Sequence, residues 1–300
     1  MSTVSIIVPV FNAEGTILEC LDSLQAQTVT DIKIICIENG STDNSWQKIL
    51  SKKNDKRVLA MRTKEADVSQ ARNLGLFWAG KTSPLVMFCD ADDTYDPHMV
   101  ETMVNGITEN GADLACCEIE VSYQSDHELR NSDDDYYTLK SEGLQTNMHE
   151  LINTIDYSLC DKIFRSSIIQ NYSIKFPSLL HYEDACFCWK YMSVSKSAYL
   201  IKKRLYHYIR HDNSIMNTTF AKSTKSIDHL YITADIYNFL VQNNLFDNYK
   251  DEFIELYINS LSFARYFADD TILERIDLLD TKLQKKFFKR EGNEKFPSRY

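Results

Sequence analysis

Three carboxylates close a short apolar run in the segment 85–93, which reads Leu-Val-Met-Phe-Cys-Asp-Ala-Asp-Asp. An unbroken apolar run of this length predicts a strand buried on both faces, so Asp90, Asp92 and Asp93 lie where that strand ends. Like charges this close repel, and the cluster is costly unless a cation neutralises it. Carboxylate oxygens suit Mg²⁺ or Mn²⁺, which also bind phosphate oxygens. The segment therefore predicts a metal that joins the protein to a diphosphate; the alternative is a solvated acidic turn that caps the helix beginning at Pro97.

Polar side chains also follow two earlier predicted strands. Asn12 and Glu14 come after the first strand, and Glu38 and Asn39 stand at the end of the second. In parallel sheets, ligands bind beyond the carboxyl ends of the strands. Three polar loops at one edge of a sheet favour a shared binding site over three independent turns.

The elements that carry these loops alternate along the chain. Apolar, β-branched runs predict strands, and apolar residues at helical spacing predict the helices between them. This alternation predicts an α/β fold: a mostly parallel sheet with helices on both faces. The predicted strands are 4–10, 33–38, 57–61, 85–89 and 114–121, and the predicted helices are 17–27, a short helix around Trp46, 69–79 and 97–109.

The second half of the chain is less regular. Segment 126–140 is polar and predicts an exposed loop; its Asp133-Asp134-Asp135 run is either a solvated charge run or a second acidic metal site. For Lys162, a role in packing or in an ion pair is favoured over a role in catalysis. Residues 185–192 predict a packed helix and 206–211 a strand. From about residue 226 three helices, 227–241, 247–267 and 271–288, predict a helical C-terminal region without strands.

Composition sets broad limits on function. The chain has 300 residues, 44% hydrophobic and 25% charged, which is ordinary globular usage for one large domain or two. A formal net charge of -10 argues against a general nucleic-acid binder. We see neither a signal peptide nor an apolar run long enough to span a membrane. The eight cysteines lie mostly in apolar segments without a Cys-x-x-Cys pair, which favours core thiols in the cell interior.

The C-terminal helix ends in a basic, amphipathic stretch. Such an end on an acidic protein is compatible with contact to an anionic membrane surface. The alternative is a solvated helix end, because cations are favourable near a helix C-terminus. The stretch places Lys282, Lys285, Lys286, Lys289 and Arg290 around Leu283, Phe287 and Phe288.

Five short motifs together resemble family 2 glycosyltransferases of bacteria. They occur in that family's order and spacing over about residues 1–215: Val-Pro-Val-Phe-Asn at 8–12, Glu-Asn-Gly-Ser-Thr-Asp at 38–43, Ala-Arg-Asn at 71–73, Asp-Ala-Asp at 90–92, and Glu-Asp at 183–184. The resemblance implies a GT-A (Rossmann-like) fold and transfer of a sugar from a nucleotide donor with inversion at the anomeric carbon. It implies a transferase domain over 1–220, with a nucleotide half to about 121 and an acceptor half after it, followed by the helical region 221–300.

The resemblance also implies roles for individual residues. Asp184 is the expected catalytic base, with Glu183 beside it, and Asp92 the expected ligand of Mn²⁺ or Mg²⁺, with Asp93 assisting. The alternatives are helix caps for Glu183 and Asp184 and a surface position for Arg72. The expected nucleotide-binding residues are Pro9, Phe11, Asn12, Glu14, Glu38, Asn39, Arg72, Asp90 and Ala91, and His207, Arg210 and His211 are candidates for diphosphate or acceptor contacts.

The chemistry is coherent without the resemblance. An in-line displacement needs a base on the face opposite the leaving group, to take the proton of the acceptor hydroxyl. A cation at Asp92 would stabilise the charge that develops on the departing diphosphate. One base is enough for inversion, whereas a retaining enzyme nucleophile would need a second well-placed carboxylate.

One motif departs from the family pattern. The family commonly has two aspartates where this chain has Glu38-Asn39, and an amide presents donors as well as an acceptor. UDP nevertheless stays the expected nucleotide. The leading hypothesis is a metal-dependent transferase, cytoplasmic or at the inner face of the membrane. It would use a glycan or lipid-linked acceptor in the synthesis of lipopolysaccharide, capsule or exopolysaccharide, and a homo-oligomer is compatible with it.

Two other classes of protein are alternatives to a glycosyltransferase. A sugar-nucleotide nucleotidyltransferase has a similar sheet, but it is expected to carry a phosphate loop rich in glycine and arginine after the first strand. Here residues 11–15 contain no arginine. The third class is a non-catalytic nucleotide-binding or scaffold protein that holds a partner through the helical region.

Overall fold

A computed structural model describes residues 3–64, 66–125, 128–131, 138–210 and 222–288. The described residues fall into two compact units. One comprises residues 3–179 and 183–210, and the other comprises 180–182 and 222–288. The first unit holds the sheet and the second is helical.

The sheet of the first unit has ten strands among the described residues, in the order β3-β2-β1-β4-β9-β6-β10-β5, with β7 beside β6 and β8 beside β10. Neighbours β3-β2-β1-β4 and β6-β10 are parallel, whereas the short strands β5, β7, β8 and β9 pair antiparallel. The strands are β1 Val4–Val10, β2 Ile32–Glu38, β3 Val58–Arg62, β4 Leu85–Phe88, β5 Thr94–Tyr95, β6 Leu114–Ser125, β7 Glu128–Asn131, β8 Gly143–Gln145, β9 Lys162–Arg165 and β10 Ala198–Arg210.

The helices of this unit fill the connections between the strands. They are α1 Ile17–Gln25, α2 Ser45–Ser51, α3 Val68–Thr82, α4 Met99–Glu109, α5 Met148–Leu151, α6 Ser166–Asn171 and α7 Glu183–Val194. The predicted α/β fold with a mostly parallel mixed sheet is confirmed. The prediction of a loop throughout 126–140 is wrong, because β7 pairs with β6 there. The Asp133–Asp135 run lies outside the described residues.

Pro9 sits inside β1, although proline cannot donate to a strand ladder. All seven residues of β1 are buried, and β1 pairs with β2 along its whole length. The partner on its other side, β4, ends at Phe88, which lies opposite Ile7. Backbone groups of residues 7 and 9 point to the same side, so Pro9 faces the side where the neighbouring strand has already ended. The missing N–H therefore leaves no ladder bond unmade.

Helix α3 lies close against β1 because Gly75 has no side chain. A Cβ at Gly75 would stand 2.4 Å from Cγ2 of Ile7. A larger residue would push the helix away from the sheet, since packed interiors have little free space. This close approach fixes the position of Arg72, which lies on the same helix.

Aromatic packing holds α7 against the sheet. The rings of Phe176 and Phe187 stack at 4.4 Å, and Phe187 also meets Phe88 of β4 and Phe164 of β9 edge-on at 5.8 and 5.4 Å. These geometries are the favourable ones for aromatic pairs. All eight cysteines are buried thiols, which confirms the prediction that they are core residues.

The helical unit contains α8 Asp228–Gln242, α9 Lys250–Tyr266 and α10 Leu273–Phe288. Phe287 packs against Tyr237 and Phe253 at 4.5 and 5.1 Å, and Leu283 is also buried. The apolar face of the basic helix α10 is therefore occupied inside this unit. In the described ranges, no helix combines the length and the apolar character needed to cross a membrane.

Candidate active site

The loops that follow β1 and β2 are tied together by hydrogen bonds. Asn12 has a left-handed backbone with φ 48°, and its Oδ1 accepts from the N–H of Thr42 at 2.9 Å. The N–H of Asn12 donates to Oγ of Ser41 at 3.0 Å. Glu14 accepts through Oε2 from the backbone and side-chain N–H groups of Asn44, at 2.9 and 3.0 Å. Asn12 and Glu14 thus shape the loop after β2, and both are exposed at this edge of the sheet.

Glu38 is fully buried at the end of β2. Its Oε1 accepts from the N–H of Ser41, and its Oε2 accepts from Nε of Arg62. Both oxygens are therefore engaged within the protein. Phe11, by contrast, is 51% exposed, so its ring is accessible at the same edge.

Asn39 is buried, and its carbonyl oxygen is in use. Oδ1 accepts from Oγ1 of Thr63 at 2.9 Å and from the N–H of Asp67 at 3.1 Å. A backbone N–H can only donate, so this contact fixes which end of the amide is the oxygen. An amide oxygen has two lone pairs, and these two donors fill them. Among the described residues, no hydrogen bond engages the NH₂ group of Asn39, and this group is therefore the part left to meet a ligand.

Arg72 joins the end of β4 to the start of α7. It is only 7% exposed, and it donates from Nη2 to Oδ1 of Asp90 at 3.1 Å and from Nη1 to Oε1 of Glu183 at 2.5 Å. Its guanidinium also lies 5.7 Å from the ring centre of Phe176. Burial disfavours its charge, but Asp90 and Glu183 outweigh that effect and raise the pKa of Arg72. Two carboxylates 93 positions apart in the chain therefore share one buried cation.

The first turn of α7 carries the second carboxylate, Asp184, which is half-buried. Its Oδ1 accepts from the N–H of Ala185 at 2.8 Å. Burial, and next the charge of Glu183, raise the pKa of Asp184 to about 7, while Arg72 acts in the opposite direction. A carboxylate with a pKa near neutrality is well suited to general-base chemistry.

Asp92 and Asp93 are neighbours in the chain but differ in environment. Asp93 is 1% exposed, and its oxygens accept from the hydroxyl of Tyr206 and from the N–H of Ile209, the latter at 2.8 Å. Burial, and next the charges of Asp92 and Asp90, raise the pKa of Asp93 well above its usual range. Asp93 thus anchors the loop to β10, whereas Asp92 is half-buried within it. Ala91 between them is buried.

The donor set at this loop suits a metal that is shared with a ligand. Among the described residues, no three His, Cys, Asp or Glu side chains lie together as a complete metal site. Mg²⁺ is often bound by one or two carboxylates, with substrate phosphates and waters supplying the other oxygens. Asp92 fits that arrangement as a single carboxylate ligand.

Strand β10 runs beside the same loop, and β5 pairs with it at Tyr206 and His207. Nε2 of His207 lies 3.4 Å from Oε2 of Glu120, and Arg210 donates to the hydroxyl of Tyr123 at 2.6 Å. The predicted contact residues His207 and Arg210 are thus on the strand that holds the Asp93 loop. His211 lies outside the described residues.

Some residues at this site were not identified from the sequence. Tyr206 accepts from the N–H of Asp90 at 3.3 Å and donates to Asp93, so it fastens the acidic loop. Asp156 and Cys160 lie close enough for Asp156 to raise the pKa of Asp184 and for Asp90 and Arg72 to affect Cys160. No periodicity or spacing marks these positions. A cavity of about 50 Å³ is lined in part by Asp156, Cys116 and Asp161, and none of the predicted site residues lines it.

Comparisons with known proteins identify relatives over most of the chain. The family model described as Glycosyl transferase family 2 matches residues 5–173. The uncharacterized glycosyltransferase YibD of Escherichia coli (strain K12) is 31% identical over 219 residues, which are 70% of this chain and 62% of that protein. The putative glycosyltransferase EpsH of Bacillus subtilis (strain 168) is 29% identical over 256 residues, 83% of this chain and 72% of that protein.

A solved structure shares the fold. The crystal structure of S. aureus TarS 1–349 superposes with a TM-score of 0.72 and 20% sequence identity. The match covers 95% of this chain and 80% of that chain.

Proposed function

This chain belongs to glycosyltransferase family 2, and from that premise we propose that it moves a sugar from a nucleoside diphosphate donor to an acceptor hydroxyl with inversion. The observation that carries the proposal is the bridge made by Arg72 between Asp90 and Glu183. It draws the loop of Asp92 and the helix of Asp184 toward one cation. A diphosphate site and a base are the two parts that such a displacement needs.

Asp184 is the proposed base. With a pKa of about 7, its carboxylate takes the proton of the acceptor hydroxyl as that oxygen attacks the anomeric carbon. The hydroxyl becomes a better nucleophile as its proton leaves, and the nucleoside diphosphate departs on the opposite face. A single base gives one displacement and therefore inversion.

Asp92 is the proposed ligand of Mn²⁺ or Mg²⁺, whereas Asp93 is buried and each of its oxygens accepts a hydrogen bond from β10, which leaves it less accessible to a cation than Asp92. When bound, such a cation supplies positive charge beside the diphosphate. Arg72, already charged and buried, adds a fixed cation near Asp90.

UDP is the proposed nucleotide. TarS, which has the same fold, has been solved with UDP-GlcNAc and with UDP. Asn39 presents its NH₂ group, which can donate to a carbonyl oxygen of uracil, while Glu38 is fully buried and each of its oxygens accepts a hydrogen bond within the protein. Phe11 is exposed and can contact the base, while Asn12 and Glu14 act by holding the loop.

The proposed acceptor is a glycan or lipid-linked precursor of a cell-surface polymer. A relative named poly(ribitol-phosphate) beta-glucosyltransferase, from Bacillus spizizenii, is 25% identical over 72% of this chain and 34% of that protein. Its name supports a polymeric acceptor with free hydroxyls. Transfer to a lipid-linked acceptor would place the chain at the cytoplasmic face of the membrane. With Leu283 and Phe287 buried, contact there would come from the lysines of α10.

Asp184→Asn is expected to lower UDP release from UDP-GlcNAc by about 10²-fold or more, because the base is lost. UDP affinity, measured by calorimetry with Mn²⁺, should stay unchanged. Asp251→Asn is the matched control, since Asp251 is an exposed carboxylate in the first turn of α9. Full activity in Asp184→Asn would rule out this base.

In a thermal-shift assay with Mn²⁺ present, UDP is expected to raise the unfolding temperature of the wild type. The same addition should leave the unfolding temperature of Asp92→Ala unchanged. The same screen with GDP tests the nucleotide, since a larger shift with GDP than with UDP would overturn the choice of UDP. A shift with UDP that needs no cation, in both wild type and Asp92→Ala, would contradict the metal role.

A further inference from the structure

Two adjacent carboxylates begin α7, and their contacts separate their tasks. Glu183 is committed to Arg72 by a 2.5 Å contact, and its side chain is 13% exposed. Asp184 accepts instead from the N–H of the next residue, Ala185. To act as a base, Glu183 would have to leave a buried guanidinium unpaired on that side, which is costly. Only Asp184 can change its protonation without breaking the bridge.

We infer that Glu183 is a positioning residue, which fixes the first turn of α7 through its ion pair with Arg72 and so holds Asp184 in place. The inference rests on the proposed function for the role of Asp184 as base. The ion pair joins α3 to α7, and Asp90, just after β4, is the second partner of Arg72.

The position of Arg72 makes this anchor rigid. Arg72 lies on α3, which is held close to β1 at Gly75, and its guanidinium is fixed further by Asp90 and Phe176. A planar guanidinium with two carboxylate partners allows little rotation. The side chain of Arg72 therefore fixes the position of the first turn of α7 relative to the edge of the sheet.

The same pair sets the electrostatic environment of Asp184. Among the described residues, the charged groups that act on this carboxyl are Glu183 on its own helix, Arg72 on α3, and Asp156 in the segment before β9. Glu183 and Asp156 disfavour the ionised form, whereas Arg72 favours it. Removing the charge of Glu183 leaves Arg72 acting on Asp184 with less opposition.

The test follows the titration of Asp184 without using a substrate. In each background, the free energy of unfolding in urea is compared with that of the matching Asp184→Asn variant from pH 4 to 9. The pH at which this difference levels off reports the titration of Asp184 in the folded chain. The backgrounds are wild type, Glu183→Gln, Glu183→Asp and, as a control, Glu274→Gln, which changes an exposed glutamate in the first turn of α10.

Glu183→Gln is expected to move this titration down by about one pH unit, because a like charge is removed. Glu183→Asp, which restores the charge, should move it back, and Glu274→Gln should leave it unmoved. An unmoved titration in Glu183→Gln would overturn the inference. If Glu183→Gln does not fold, a titration in Glu183→Asp that lies about one pH unit below that of wild type would overturn it equally, because this variant keeps the charge.

A second measurement separates this inference from the proposed function. UDP release from UDP-GlcNAc is recorded against pH in wild type, Glu183→Gln and Asp184→Asn. If the titration moves but wild type releases no UDP, the positioning role stands and the proposed function fails. If Glu183→Gln is inactive at every pH while Asp184→Asn is active, Glu183 is itself the base and the inference is overturned.

Discussion

Two buried cations of the sheet unit meet their carboxylates in opposite ways. Lys162 is fully buried, and Nζ donates to both oxygens of Asp161 at 2.8 and 3.1 Å and to the carbonyl of Ser158 at 2.8 Å. Its three N–H donors are matched by three acceptors, and one positive charge meets one negative charge. The pair is closed.

Arg72 belongs instead to an open cluster, in which the donors are not all matched and the charges do not balance. One guanidinium faces Asp90 and Glu183, with Asp184 adjacent, so negative charge is in excess. Among the described residues, its buried Nε–H finds no hydrogen-bond partner. A closed, neutral pair supports the fold, whereas an open cluster with excess charge is costly to keep and is expected where a ligand binds. The contrast separates structure from function better than burial alone.

Breaking the closed pair should give the largest effect on stability. Lys162→Ala leaves the buried carboxylate of Asp161 without its partner, and we expect a loss of about 3–5 kcal/mol in the free energy of unfolding. Urea titration measures it. Lys203→Ala, which removes an exposed lysine of β10, should change stability by less than about 0.5 kcal/mol. Equal effects of the two substitutions would erase the contrast.

Asp184→Asn should instead stabilise the fold at pH 8, by up to about 4 kcal/mol. The pKa of Asp184 is about 7 in the fold against an ordinary value of 3.8. Between these values the folded chain holds more protons than the unfolded chain, so stability falls as pH rises. Asparagine does not ionise and escapes this loss, while its amide oxygen can still accept from Ala185.

The measurement is the free energy of unfolding of both proteins at pH 8 and pH 4. At pH 4 the advantage of Asp184→Asn should nearly vanish, because the carboxyl of Asp184 is then protonated in the folded chain. A destabilised Asp184→Asn at pH 8 would show that the open cluster is not strained by its charge.

Arg72→Lys should give the smallest effect, a loss of about 1 kcal/mol, because one charge is kept but one charge-assisted bond is lost. A lysine cannot donate in the forked geometry that reaches both Asp90 and Glu183. Thermal unfolding at pH 8 measures the change. A loss as large as that of Lys162→Ala would mean that the Arg72 bridge is as closed as the lysine pair.

The sequence determined the outline of the sheet and the chain positions of the chemistry. Alternating apolar runs predicted β1 to β4 and the helices between them, since a buried strand or helix face must be apolar at its own period. Strands β5, β8 and β9 were not recognised, because runs of two to four residues carry no measurable period.

Which carboxylate does what was decided only by the tertiary structure. Asp92 and Asp93 are adjacent and identical in type, yet the carboxylate of Asp93 accepts hydrogen bonds from Tyr206 and Ile209, which are more than 110 positions away. Likewise Glu38 accepts a hydrogen bond from Arg62. The side-chain oxygen of Asn39 accepts hydrogen bonds from Thr63 and Asp67. The type of a residue fixes how many bonds it can make. The partners that fill those bonds, and the burial that sets the pKa of the group, come from distant segments that meet only in the fold.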